Sequence, residues 1–143
     1  MDYRAIFQIA SAGMDLEKRR VDVAALNLAN MHASAPAGQA PYAAQRVLAQ
    51  PLQVNFSRAM GEAEPALLSR QVQIVNTDAA PRLVHEPGHP HADSQGFVAY
   101  AAIDQATEMV TVNTALRAYE ANVAVASTAR AMAAKALDLG GQG

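Results

Sequence analysis

Between residues 103 and 138 the apolar side chains fall at alternating steps of three and four: Met109, Val112, Leu116, Tyr119, Val123, Ala126, Ala133 and Leu137. This is the a/d repeat of a coiled-coil helix, sustained over about four heptads. The helix would be about 52 Å long. Arg130 is the one break in the seam, and Ala115, Ala118, Ala121, Ala124, Ala129, Ala131 and Ala134 flank it with side chains small enough for close approach. Gly140-Gly141 follow the last periodic residue and supply a stop.

A second proline-free stretch covers residues 3 to 31 and contains one glycine. Phe7, Met14, Val21 and Leu28 recur every seven residues, and Ile9, Leu16 and Val23 form a second row at the same interval. Each row is a stripe along a helix of about 43 Å. The rows are offset by two residues, or about 200° around the axis. Packing against one side of a globule needs only one stripe, so this helix is expected to lie between neighbours.

Residues 32 to 102 differ in kind. They open on HASAPAGQAPY, which cannot remain helical. Gln71-Val72-Gln73-Ile74-Val75 alternates as a strand does, and Arg82 to His85 and Gly96 to Tyr100 are two further short extended candidates. Residues 47 to 70 are ambiguous, with Pro51 and Pro65 against a continuous helix. The expected fold is mainly α. Long terminal helices (1–31 and 103–143) pair as an antiparallel coiled coil around a loop-rich, small β-containing middle region (32–102). One such pair cannot bury every stripe, and uncovered apolar stripes call for partners.

The 143 residues are 51% hydrophobic but only 5% aromatic, and much of the apolar count is alanine. Long, closely packed helices fit that composition better than a globule around a pocket, and no small-molecule substrate is expected. A net charge of −2 and a pI near 6.0 leave no basic excess for nucleic acid. The mixed run Glu17-Lys18-Arg19-Arg20 reads as a solvated helix face. The absence of cysteine removes disulfides, thiolate nucleophiles and Cys-based zinc sites. Asp2 and Arg4 interrupt the start where a secretory h-region would stand, so no cleavable signal peptide is expected. No apolar run approaches the ~18 residues of a membrane span.

The densest polar chemistry is HEPGHPHAD, residues 85 to 93. It spells His-Glu-x-x-His through His85, Glu86 and His89, the ligand pattern of a metal-dependent hydrolase. That chemistry needs the two histidines one helical turn apart, and Pro87-Gly88 break the turn. A rigid connector is the better reading, with Pro87 and Gly88 suited to a type II turn, Pro90 stiffening the chain and Gly96 free to take positive φ. On this reading the histidines are incidental. No G-x-S-x-G, GxGxxG or P-loop is present. Neither a catalytic residue nor a cofactor or metal site is expected.

Two polar constellations interrupt the apolar helices: Asn27-Leu28-Ala29-Asn30, and Arg117-Ala118-Tyr119-Glu120-Ala121-Asn122. Polar groups in a seam cost stability and set register. The first, followed by a Pro/Gly segment ending in Pro41-Tyr42, resembles the N-terminal motif of bacterial flagellar rod and hook proteins. Glu108-Met109 with the second constellation resembles the C-terminal motif of that family. Pro87-Gly88-His89-Pro90 to Gly96-Phe97-Val98 is similar to a middle motif of the C-type proximal-rod branch. Met31-His32-Ala33-Ser34 departs from the family, which usually places threonine soon after the asparagine run.

The resemblance implies a structural subunit of the basal-body rod, without catalysis. It would be exported unfolded through the flagellum's own export apparatus and polymerise in the periplasm, with itself and other rod subunits, as a helical tube. The contact residues expected on that basis are Phe7, Met14, Val21, Leu28, Met109, Val112, Leu116 and Val123. Asn27, Asn30, Tyr119, Glu120 and Asn122 are expected as polar register-setters. The terminal helices of the monomer would then be largely disordered until assembly, because their burial comes from other subunits.

Overall fold

The computed structural model describes residues 3–51 and 70–140. Two long helices bracket five short strands: α1 (Tyr3–Ala29), β1 (Ser34–Ala35), β2 (Gln45–Pro51), β3 (Arg70–Asn76), β4 (Arg82–His85), β5 (Phe97–Tyr100) and α2 (Gln105–Gly140). Both helices expected from the heptads are present, as are the three expected extended segments. Strands β1 and β2 lie outside those expected segments, and the rest of the ambiguous stretch, 52–69, lies outside the described residues.

The chain divides into two compact units. One takes in the described residues of Met1–Arg19, Ala49–Gln73 and Thr114–Gly143; the other takes in Arg20–Leu48 and Ile74–Asn113. The second unit holds the three-stranded sheet, in the order β1-β5-β4. Both pairings are antiparallel, with Ser34 opposite Tyr100, Val84 opposite Val98 and His85 opposite Phe97. Val98 and Ala101 are fully buried, with Ala35 and Ala44 nearly so. Strands β2 and β3 pair separately, and Thr77 extends that ribbon by donating both its N–H and its hydroxyl to Ala44 O.

Helix α2 starts at a defined cap. The Asp104 carboxylate accepts from the Thr107 N–H at 3.0 Å and from the Thr107 hydroxyl, as an N-cap does for otherwise unpaired first-turn amides. The Thr107 hydroxyl, then the backbone N–H groups, hold the Asp104 carboxyl below its ordinary pKa. Helix α1 ends at Asn30, whose N–H reaches the Leu26 and Asn27 carbonyls while its side chain donates to Leu26 O at 2.8 Å.

The stretch 85–96 does form the expected connector, closing the β4–β5 hairpin through three successive turns. His89 N–H reaches Glu86 O, Ala92 N–H reaches His89 O, and Gly96 N–H reaches Asp93 O, each at 3.0 Å. Two details differ from the sequence reading. Positive φ occurs at Gly96 (+81°) but not at Gly88, so the Glu86–His89 turn is not type II, which requires φ > 0 at its third residue. The chain turns again at once from His89. The histidines are also engaged in the connector. His89 Nδ1 accepts the His91 N–H at 3.0 Å, His91 Nδ1 shares a hydrogen bond with Ser34 Oγ at 2.9 Å, and the His85 ring meets Phe97 edge-on at 5.1 Å.

Candidate assembly interface

Burial on the helices follows a heptad, but not the one drawn from the large apolar residues. On α2 the buried positions are Glu108, Ala115 and Ala129, with Asn122 half-buried at the same interval. Each lies one residue before the expected seam, about 100° around the helix. Arg130, the break in that seam, is simply the exposed neighbour of Ala129. Ala115 is 2% exposed, whereas Met109, Leu116, Tyr119, Val123 and Leu137 are 39–77% exposed. Of the expected assembly residues here, Val112 and Asn122 are half-buried, and Glu120 is exposed.

Helix α1 shows the same division. Ala10, Leu16, Val23, Ala24 and Asn27 are buried, along with Glu17. Of the two sequence rows, the one through Leu16 and Val23 turns inward, although its first member, Ile9, is 51% exposed. The other row keeps Phe7 exposed and Met14, Val21 and Leu28 half-buried. On α2 small and polar side chains thus occupy the inward face and large apolar ones remain outside, while α1 buries Leu16 and Val23 beside its small and polar residues.

Polar contacts tie the helices together within each unit. In the second unit, Asn27 is fully buried. Its Nδ2 donates to Gln45 O at 2.9 Å and to Glu108 Oε2 at 3.1 Å. Its Oδ1 accepts the Gln45 N–H at 2.9 Å and the Tyr42 hydroxyl at 3.2 Å. Glu108 is 1% exposed, and Arg46 Nη1 lies 2.6 Å from its Oε1. That contact is an ion pair outside hydrogen-bond alignment, so charge rather than a directed bond compensates this oxygen. Burial first, and the Glu108 charge second, raise the Tyr42 pKa. In the first unit, α1 and α2 meet where Gly13 faces the Asn122 side chain; Asn122 Nδ2 also donates to Ala118 O at 2.9 Å.

Asn27 and Asn122 therefore stand at inter-helix contacts. Asn30 bonds back to its own helix instead. Arg46, Gln45, Gly13 and the Asp104 cap escaped the sequence reading. Gly13 alone left a signal there, as a lone glycine inside an otherwise strong helix pattern. The hydrolase spelling is not assembled as a site: Glu86 accepts the Tyr100 hydroxyl at 2.8 Å, while His85 and His89 are held as described above. That hydrogen bond, ahead of burial, raises the Tyr100 pKa. Among the described residues, no helix is long and apolar enough to cross a membrane.

The chain matches the family model of the flagellar basal body rod FlgEFG protein C-terminal region over residues 94–139, a span that includes β5 and nearly all of α2. It is 39% identical over 136 residues to the flagellar basal-body rod protein FlgC of Escherichia coli O6:H1, covering 94% of this chain and 96% of that one. The FlgC of Salmonella typhimurium strain LT2 is 37% identical over the same shares. That of Borreliella burgdorferi is 31% identical over 140 residues, 90% of this chain and 91% of its own. With likeness of this degree along nearly the whole chain, and with the asparagine and glutamate motifs meeting as a buried cluster, the chain belongs to the FlgC family of flagellar basal-body rod proteins and is a structural subunit of the rod.

Proposed function

We propose that this subunit polymerises, with copies of itself and with other rod proteins, into the helical drive shaft, using the large apolar residues on the outer faces of α1 and α2. Within the subunit the two helices pair antiparallel as a closely spaced coiled coil. Two contacts support that pairing: Asn27 with Glu108, and Gly13 with Asn122. Fourteen residues separate the two points on each helix, and the order reverses between them. In this reading residues 1–31 and 103–143 form the helical layer and 32–102 the middle region. The protein is not an enzyme and needs no cofactor. It leaves the cytoplasm by the flagellar export apparatus and works in the periplasmic part of the basal body.

The observation that carries the proposal is the exposure of Met109, Leu116, Tyr119 and Val123 beside a buried alanine seam. Fully burying one such side chain is worth about 1.5–3 kcal/mol, and a subunit that leaves a row of them outside gains that energy only from neighbours. Surfaces that repeat without closing build a filament. Phe7, Met14, Val21, Leu28 and Val112 extend the contact surface, and Asn30, Tyr119 and Glu120 supply polar groups on it. Leu116→Asp or Val123→Asp should abolish rod assembly and swimming while leaving chain levels unchanged. Normal swimming of both variants in soft agar would refute the assignment of this face.

A further inference from the structure

Gly13 is the one glycine in α1. Glycine is the weakest helix former after proline, and no positive φ calls for it at this position. What it meets explains its presence. A Cβ at Gly13 would stand 2.7 Å from Asn122 Oδ1 and 2.8 Å from both Cγ and Nδ2 of the same side chain. Those distances are shorter than heavy atoms tolerate without moving. The amide is also anchored on its own helix, through Nδ2 to Ala118 O.

We infer that Gly13 is the seat that fixes the register of the helix pair, receiving the Asn122 amide as a hole receives a knob. The inference rests on the antiparallel pairing proposed above. The buried alanines of α2, Ala115 and Ala129, specify register weakly, because one alanine replaces another at little cost. The Asn122 amide removes that freedom. Sliding the pair by one heptad in either direction would bring Ile6 or Arg20 opposite Asn122, and neither leaves room for it. Only the observed alignment places a residue without a side chain there. Register decides which large residues sit beside one another on the outer face, so it sets the geometry that a neighbouring subunit meets.

The test is a size swap in the full-length chain, read as swimming in soft agar and as the number of basal bodies carrying a complete rod. Gly13→Ala should lower rod-bearing basal bodies about tenfold, as overpacking of a tight contact does. Asn122→Ala should lower them less, because the seam loses its knob without being overpacked, and Gly13→Ala combined with Asn122→Ala should do no worse than Asn122→Ala alone. Wild-type behaviour of Gly13→Ala, or a double variant no better than Gly13→Ala, would overturn the seat. A second arm separates the seat from the pairing. The native chain has no cysteine, so Gly13→Cys with Asn122→Cys introduces its only thiols. Oxidised basal bodies should contain an intrachain disulfide, seen as a reductant-sensitive mobility shift without doubling of mass. Absence of that bridge overturns the pairing and the seat together. A bridge accompanied by failure of the size swap overturns the seat alone.

Discussion

Asn27 has two N–H donors and an oxygen with two acceptor positions, and all four are engaged, by Gln45, Glu108 and Tyr42. Full engagement is what allows an amide to be completely buried in a helix seam. No replacement reproduces both the two donors and the double acceptor at that depth. Asn27→Ala leaves the Gln45 N–H and one Glu108 oxygen without their partner, which costs on the order of 3 kcal/mol. Asn27→Asp should be worse at neutral pH, because it sets a second carboxylate beside Glu108. Urea midpoints of the purified full-length variants check this, and an Asn27→Asp chain as stable as wild type would contradict it. The asparagine was legible in the sequence as a polar interruption of an apolar row. Its partner Gln45, and Arg46 beside Glu108, were not, because they follow a Pro/Gly segment whose path no periodicity describes.

The helices were legible at the level of elements because a heptad of apolar residues identifies a helix whichever face is buried. The buried face itself was misread by one position. Counting hydrophobicity gives Met109, Leu116 and Val123 more weight than Ala115, whereas close approach of two helices selects Ala115, Asn122 and Ala129. The same limit applies to the hairpin connector. Proline and glycine announced a turn, but which glycine carries the unusual backbone depends on where the chain goes next. Gly96, at φ +81°, is faced by His85 Nε2 and Pro87 Cγ at 3.1 Å, while Gly88 has open space around it. Gly96→Ala should therefore cost about 1–3 kcal/mol. Gly88→Ala should be neutral or stabilising by up to about 1 kcal/mol, through the unfolded chain. Thermal unfolding of the two variants decides the point, and an equal loss from both would contradict the turn geometry. The cross-strand contacts His85–Phe97 and Arg82–Tyr100, the latter with the guanidinium 5.5 Å from the ring centre, join partners directly opposite in the register. They support the hairpin independently of either glycine.

Among the described residues of α2, the inward face is built from Glu108, Ala115 and Ala129, while Met109, Leu116 and Val123 stay outside, the reverse of what a self-sufficient globule needs. The composition carried this message early, with much alanine and few aromatics, and membership of a rod-forming family supplies the neighbours. The central claim is that the outward row becomes buried in the rod. Because the native chain lacks cysteine, a single Val123→Cys substitution places one thiol on that row, with a second strain carrying Thr128→Cys at an exposed polar position for comparison. Maleimide labelling should be fast at both positions in the free chain. In isolated basal bodies the thiol at position 123 should become protected by at least about tenfold, the ratio expected for burial worth roughly 1.4 kcal/mol or more. Equal labelling at position 123 in the free chain and in the assembled rod would contradict the account.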